Sequence, residues 1–326
     1  MKMVGISILT AALLLSCSST AGEEQVVNPG DDSGLGKKPK TEVLVMSSNI
    51  RQSTTDPGVL SWAGRKDAYL AMIKDIKPGI IGLQEVGDDE KLADLATLTD
   101  YASYRIETYD GPQTEVTKKG TRIDGGVMIM WRRADFTLLG KGYFWLGEKP
   151  DEPHYAPYDG IDKHVRACVW VKLRSKEGKV FYFFNTHFPH TPKVYNADGT
   201  RFYNYEQRRR CAEQAAAAIG EICPEGSTVF FTGDFNCSFE DGNGRRGWYS
   251  LAPLSAMFDN AWTDAFDTDG GVSFNGFTYD KRGRSATIDY IFFREAVAGT
   301  YRTVTSRSYG VDFVSDHYPI TCTFEF

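Results

Sequence analysis

Thr228–Asn236 reads TVFFTGDFN. Its first five residues are β-branched or aromatic, the composition of a buried strand. Gly233 ends the run, and a carboxylate (Asp234) and an amide (Asn236) follow two positions apart. A strand that ends on polar groups of this kind is placing chemistry rather than core. The same grammar recurs outward in both directions. Glu42–Ser48 reads as a strand ending on Asn49, Ile80–Leu83 as one ending on Gln84-Glu85, and Val180–Thr186 as one ending at His187. Further strands are expected at Gly126–Trp131, Ile288–Phe293 and Tyr318–Phe326.

Helical patterns lie between these strands. Tyr69, Met72, Ile73 and Ile76 form one stripe within Arg65–Lys77, and Pro78 stops it. A short helix carries Leu92, Leu95 and Leu98, and Tyr205–Ile222 turns Ala212, Ala215, Ala216, Ile219 and Ile222 inward. Alternating strands and helices predict an α/β fold. No repeat or linker interrupts the chain after residue 42, so residues 42–326 are read as one domain. Two stretches without period, 146–165 and 189–204, are expected to be functional loops.

In α/β sheets ligands gather at the carboxyl edge of the strands. Asp289 and Asp316-His317 instead precede strands, but an antiparallel strand begins at the edge where its neighbours end. One cleft can therefore collect Glu85, Asp234, Asp289, Asp316, His187, His317, Asn49 and Asn236. Hard oxygen donors without a cysteine suit Mg²⁺, Mn²⁺ or Ca²⁺ rather than zinc. Histidines beside carboxylates suit proton transfer and stabilisation of a charged phosphoryl group. There is no G-x-S-x-G elbow and no glycine loop that would cradle a nucleotide.

Composition sets the limits. The 326 residues include 43 Asp and Glu against 37 Lys and Arg, a net charge of −6, with 41% hydrophobic residues. That excludes a mostly disordered chain, a collagen-like repeat and a coiled coil. It also argues against a dedicated duplex-DNA binder, which carries a strongly basic face. Five cysteines (Cys168, Cys211, Cys223, Cys237, Cys322) follow Cys17 with no C-x-x-C pair, against a zinc site and a complete disulfide framework. Cys211 and Cys223 fall near opposite ends of one expected helix, about 18 Å apart at the helical rise, too far to bridge.

The N-terminus reads as an address. Lys2, the apolar run Val4–Leu15 and then Leu14-Leu15-Ser16-Cys17 have the form of a lipoprotein signal peptide over residues 1–16. Residues 17–41 are small, polar and rich in Gly and Pro, a flexible tether behind a lipidated Cys17. The expected location is the bacterial cell envelope, periplasmic or surface-exposed. The membrane is reached through the lipid anchor alone, and the protein is expected to be a monomer.

SSNIR (Ser47–Arg51), LQEV (Leu83–Val86), NTH (Asn185–His187), GDFN (Gly233–Asn236), IDYIF (Ile288–Phe292) and SDHYP (Ser315–Pro319) stand in this order along residues 42–326. The set resembles the endonuclease/exonuclease/phosphatase superfamily, which includes deoxyribonuclease I, sphingomyelinases and the deadenylase/nocturnin group. The resemblance implies a four-layer α/β sandwich, two packed mixed sheets flanked by helices. It implies that Glu85, with Asn49 and Asp316, holds a divalent ion, Mg²⁺ foremost and Mn²⁺ or Ca²⁺ as alternatives. Asp234 would orient or deprotonate the attacking water, with Asn236 bonding water and phosphate. His317, steadied by Asp289 or Asp316, would stabilise the pentacovalent phosphorus, and His187 would contact the phosphate or assist the leaving group.

Phe144-Trp145-Leu146, Arg166, His190, Arg208 and Ser273–Phe277 resemble features of the bacterial group related to the deadenylases. By that resemblance Arg166, His190 and Arg208 are candidate substrate contacts. Pro189 and Asn275 depart from the pattern, as does the Tyr158–Arg166 spacing. Arg208-Arg209-Arg210 and Arg245-Arg246 could line a basic rim, and Tyr155, Tyr158, Tyr195 and Tyr203 could stack on a base or sugar. The expected substrate is a phosphate ester, namely nucleic acid, nucleotide, sugar phosphate or lipid headgroup. A phosphodiesterase or nuclease is the first reading. A phosphomonoesterase or sphingomyelinase-like phospholipase is the second, and a non-catalytic binding lipoprotein on the same fold is the third.

Overall fold

The computed structural model describes residues 40–107, 123–155, 157–159, 164–190, 195, 197–199, 204–239, 247–279 and 286–326. The signal peptide, Cys17, the tether up to residue 39, Tyr203 and Arg245-Arg246 lie outside the described residues. In chain order the first elements are β1 (Glu42–Asn49), α1 (Trp62–Ile76), β2 (Ile80–Gln84), α2 (Asp89–Ala96), β3 (Tyr101–Tyr104) and β4 (Met128–Arg132). Then come β5 (Phe136–Trp145), β6 (Ala167–Ser175), β7 (Val180–His187), α3 (Tyr205–Ile222) and β8 (Thr228–Asp234). The short elements α4 (Gly247–Ser250), α5 (Ala252–Ser255), β9 (Asp259–Asn260), α6 (Ala261–Asp264) and β10 (Asp267–Thr268) follow. The chain closes with β11 (Asp289–Arg294), β12 (Val297–Thr303) and β13 (Ile320–Glu325).

These strands form two mixed sheets. The first runs β10-β12-β13-β1-β2-β4-β3 and the second β5-β6-β7-β8-β11-β9. Within each sheet one central pair is parallel, β1 with β2 and β7 with β8, and both pairs are flanked by antiparallel strands. Side chains alternate faces along a strand, and the sequence alternates accordingly. Val43 and Val45 of β1, Phe181 and Phe183 of β7 and Phe230 of β8 enter the core between the sheets. Met46 turns outward onto Tyr69, Met72 and Ile73 of α1. Val229 and Phe231 of β8 turn outward onto Ala212, Ala215 and Ile219 of α3. The layers are therefore helix, sheet, sheet, helix, as the sequence reading expected.

Local chemistry sets the boundaries. Helix α1 starts at Trp62 rather than at Arg65, because Ser61 caps it by accepting from the Gly64 N–H at 3.2 Å. It stops where Lys77 adopts the left-handed conformation before Pro78. Strand β5 was not anticipated. It is an edge strand with several exposed residues, and its Gly142 leaves room for the Trp170 indole, which a Cβ would approach to 2.7 Å. The five cysteines after residue 40 are buried thiols. Among the described residues no helix is long and apolar enough to cross a membrane.

Candidate active site

Strand register brings the first three groups together. His187 pairs with Asp234 across the parallel β7–β8 ladder, and Asp289 pairs with Asp234 across the antiparallel β8–β11 ladder. On the other sheet Asn49 pairs with Gln84 at the ends of β1 and β2. Glu85 follows in the left-handed region, φ 61°, so the chain swerves as it leaves the sheet. Asp316 and His317 precede β13, which runs antiparallel to β1 and so starts at the same edge. His317 is held there by a bridge to Phe274, whose ring lies 5.0 Å from the imidazole.

Asp234 is the centre. Its Oδ2 accepts from Asn49 Nδ2 at 3.0 Å and lies 3.3 Å from His187 Nε2 and 3.7 Å from His317 Nε2. Its Oδ1 accepts from the Asn236 N–H at 2.9 Å. The Asn49 amide also donates to Glu85 Oε1 at 3.0 Å, while its oxygen accepts from the Arg51 N–H. Asn49 thus bridges the two carboxylates as a donor. Glu85 Oε2 takes the Gln52 N–H at 2.7 Å. His317 Nδ1 and Asp289 Oδ2 are 2.8 Å apart. Asn236 sends its side-chain amide to the Phe188 carbonyl at 3.0 Å.

Burial and charge oppose each other here. Burial disfavours ionised Asp234, but His317 and His187 hold its pKa below the usual carboxylate range. Burial also opposes ionisation of Glu85, and His187, the Gln52 N–H and the Asn49 amide override it. Asp289 and Asp316 are raised, foremost by burial. Burial would lower His317, yet Asp289 and Asp234 push it up to about 10.

Four carboxylates gather with two histidines, an excess of negative charge that a buried site tolerates only with a cation or protons. Glu85, His187 and Asp234 present ligand atoms within 4.8 Å of one another, as do Asp234, Asp289 and His317. Oxygen-rich donors with one imidazole fit a hard divalent cation. The first trio is thus a candidate metal centre.

The proposed substrate contacts lie around this centre in different ways. Arg208 is buried, and its Nε donates to the Pro189 carbonyl at 2.9 Å, supporting the loop that carries His190. The His190 ring stands edge-on to His164 at 5.4 Å, and its carbonyl accepts from the Asn204 amide. Arg166 is buried at the start of β6. Tyr158 bonds Gln214 through its hydroxyl, Tyr155 packs against the inter-sheet core, and Tyr195 is exposed.

Two arginines went unassigned in the sequence. Arg51 lies 3.0 Å from Asp316 Oδ2 through one nitrogen and pairs with Asp56 through two others. Its place inside SSNIR was the available signal. Arg65 is fully buried and donates to the carbonyls of Leu60, Ile50 and Val314 at 2.8, 3.1 and 2.5 Å. It ties α1 to the segments that lead to Arg51 and Asp316. Ser273 also went unassigned; its Oγ accepts from the N–H groups of Ile288 and Asp289 at 3.0 Å each and so fixes the start of β11.

Solved structures share this architecture. An endonuclease/exonuclease/phosphatase from Bacteroides vulgatus is 24% identical with TM-score 0.69, covering 87% of this chain and 98% of its own. A mannosyl-6-phosphatase from Bacteroides thetaiotaomicron is 20% identical with TM-score 0.66, covering 87% and 100%. The human nocturnin catalytic domain is 17% identical with TM-score 0.60, covering 87% and 94%. No curated protein matches the chain in sequence. The profile of the Endonuclease/Exonuclease/phosphatase family matches residues 46–317. With that match covering most of the chain and the whole Glu85–Asp234–His317 cluster, the chain belongs to the endonuclease/exonuclease/phosphatase family of metal-dependent phosphoester hydrolases.

Proposed function

We propose that this phosphoesterase cleaves a P–O bond by attack of a water held at Asp234. The observation that carries the reading is the convergence on Asp234 Oδ2 of Asn49, His187 and His317 within 3.0 to 3.7 Å. Asp234 is the buried base, kept ionised by its histidines, and takes the water's proton as the nucleophile advances. His317 remains protonated against Asp289 and faces the negative charge that builds on phosphorus. His187 assists the leaving oxygen, and Asn236 orients water and phosphate. Glu85, with Asn49 and Asp316 beside it and His187 and Asp234 within ligand reach, would hold a divalent cation, which would supply Lewis-acid neutralisation of developing negative charge.

The finer reading is a phosphodiesterase or nuclease of the deadenylase-like branch, supported by the likeness of Phe144-Trp145-Leu146, Arg166, His190, Arg208 and Ser273–Phe277 to that group. A phosphomonoesterase acting on sugar phosphates is the second reading. Similarity to a mannosyl-6-phosphatase agrees with it. The envelope location belongs to the same proposal and rests on the Leu14–Cys17 sequence.

The test is hydrolysis by the mature protein with Mg²⁺ or Mn²⁺. The panel is bis-p-nitrophenyl phosphate, p-nitrophenyl phosphate, DNA, RNA, mannose 6-phosphate and sphingomyelin. Activity that survives both EDTA and Asp234→Ala overturns the mechanism. Absence of hydrolysis across the panel supports the binding-lipoprotein alternative. Retention in the membrane fraction after Cys17→Ala overturns the anchor.

A further inference from the structure

The candidate cation trio draws on both sheets, Glu85 from one and His187 and Asp234 from the other. Between the sheets most contacts are apolar. Apolar packing is non-directional and does not by itself fix two sheets to the few tenths of an ångström that a shared ligand set demands. A polar cluster lies in that core, one residue before Glu85 and two before His187 and Asp234. It consists of Gln84, Asn185 and Thr232, each fully buried.

Asn185 of β7 crosses to the opposite sheet. Its Nδ2 donates to the carbonyls of Leu83 at 2.7 Å and Met128 at 3.0 Å, the pair that ends the β2–β4 ladder. Its Oδ1 accepts from Gln84 Nε2 at 2.6 Å and lies 3.0 Å from Thr232 Oγ1. Both donors of the amide are thereby used, and its oxygen faces two donors, of which the Thr232 hydroxyl shares its one proton with the Phe184 carbonyl at 3.2 Å. Gln84 Nε2 reaches Ser47 Oγ of β1 at 3.2 Å as well. Gly82 makes the approach possible, since a Cβ there would meet Thr232 Oγ1 at 2.0 Å and Asn185 Oδ1 at 2.5 Å.

Residues two apart on a strand share a face. Asn185 therefore carries His187, and Thr232 carries Asp234, on the side that meets the other sheet, while Gln84 leads into Glu85. We infer that Asn185, with Gln84 and Thr232, is a positioning device that sets the spacing of Glu85 against His187 and Asp234, and hence the affinity of the site for its divalent cation. This inference rests on the metal-dependent reading above.

The experiment measures Mn²⁺ affinity of the full chain by calorimetry, without substrate, beside thermal unfolding. Thr232→Val keeps the side-chain shape and removes the hydroxyl. Thr232→Ser keeps the hydroxyl and loses a methyl. Asn185→Leu removes the hydrogen bonds that this cluster makes from one sheet to the other, and leaves the Asn49–Asp234 bond in place. Phe324→Leu perturbs the same core through a residue outside the network. The expected result is Mn²⁺ binding weakened about tenfold in Thr232→Val, the scale found for groups that support metal ligands. Thr232→Ser should restore it, and Phe324→Leu should leave it unchanged. Affinity that tracks unfolding temperature across all variants overturns the positioning role, as does affinity within twofold of wild type in both Thr232→Val and Asn185→Leu. If Asn185→Leu does not fold, the Val–Ser pair decides. A wild type that binds Mn²⁺ and hydrolyses nothing overturns the phosphoesterase reading while the affinities still decide this one. A wild type that binds no Mn²⁺ overturns both.

Discussion

On the β7–β8–β11 side of the site, His187, Asp234 and Asp289 are strand residues facing one another across ladder pairs. On the β1–β2 side only Asn49 is a strand residue. Glu85, Arg51, Asp316 and His317 sit just beyond strand ends, two of them with positive φ. The first half is held by backbone ladders, which side-chain substitution hardly disturbs. The second is held by hydrogen bonds: Asn49 to Glu85, the Gln52 N–H to Glu85, Arg51 to Asp316, and Arg65 to the carbonyls of Ile50 and Val314. Substituting Asp234, His187 or Asp289 should therefore remove a reacting or ligating group while leaving the backbone where it is. Substitutions in the other half should also displace the groups that remain.

The largest effect is expected from Asp234→Ala. Losing a positioned base costs about 10² to 10⁴ in rate, and here the same carboxylate also anchors Asn49 and faces two histidines. Steady-state kinetics should show kcat/KM down by about 10³ or more with a near-normal fold by circular dichroism. A loss of less than about tenfold breaks the assignment. Glu85→Gln comes next and should behave differently. Half-saturating Mg²⁺ should rise more than about tenfold, and excess metal should recover much of kcat. A pure kcat loss at unchanged metal affinity would erase the contrast between the halves.

Arg65→Met tests the hydrogen-bonded half without touching the site. The guanidinium is buried among three carbonyls, so its removal leaves acceptors unpaired, at about 1–3 kcal/mol each at most. Unfolding should move to lower denaturant. Displacement of the Arg51 and Asp316 segments should lower kcat about tenfold, because small misplacements are costly in rate. Arg65→Lys should recover little, since one ammonium does not reproduce the fork. Unchanged kcat in a destabilised Arg65→Met would show that the loops hold themselves.

What was legible in the sequence follows the same division. The ladder half could be read directly, because period-two strands ending on Asp234 or His187 put register and chemistry in one short segment. Glu85, Asn49 and Asp316-His317 were legible as strand-boundary polars. Arg65 was not. It belongs to an amphipathic helix, where a cation ordinarily reads as a solvated face, and only the packing of α1 under the 314–316 segment buries it. Arg208 was legible in part. Its place after the His strand was legible, while its burial and the bond from its Nε to the Pro189 carbonyl were not. Nothing local distinguishes a buried arginine from an exposed one, because the difference is made by segments far away in sequence.

His317 is the link between the two halves, a residue of the β1 side hydrogen-bonded to Asp289 of the other, and its titration gives the smallest but most specific prediction. Its folded pKa is pushed up to about 10, against about 6.5 in an unfolded chain. The folded state therefore binds the proton more tightly than the unfolded chain does. The stabilisation is complete below about pH 6.5, declines as pH rises, and is gone above about 10. In EDTA, the melting temperature of wild type should fall relative to His317→Gln across that window. Asp289→Asn removes the foremost of the two acids that raise the imidazole and should flatten the fall. A gap between wild type and His317→Gln that stays constant from pH 6 to pH 10 would mean that folding does not raise the His317 pKa, which leaves the imidazole neutral above about pH 7. In that case the positive charge facing phosphorus has to come from Arg51 or the cation, and the two halves are joined by a neutral hydrogen bond instead of an ion pair.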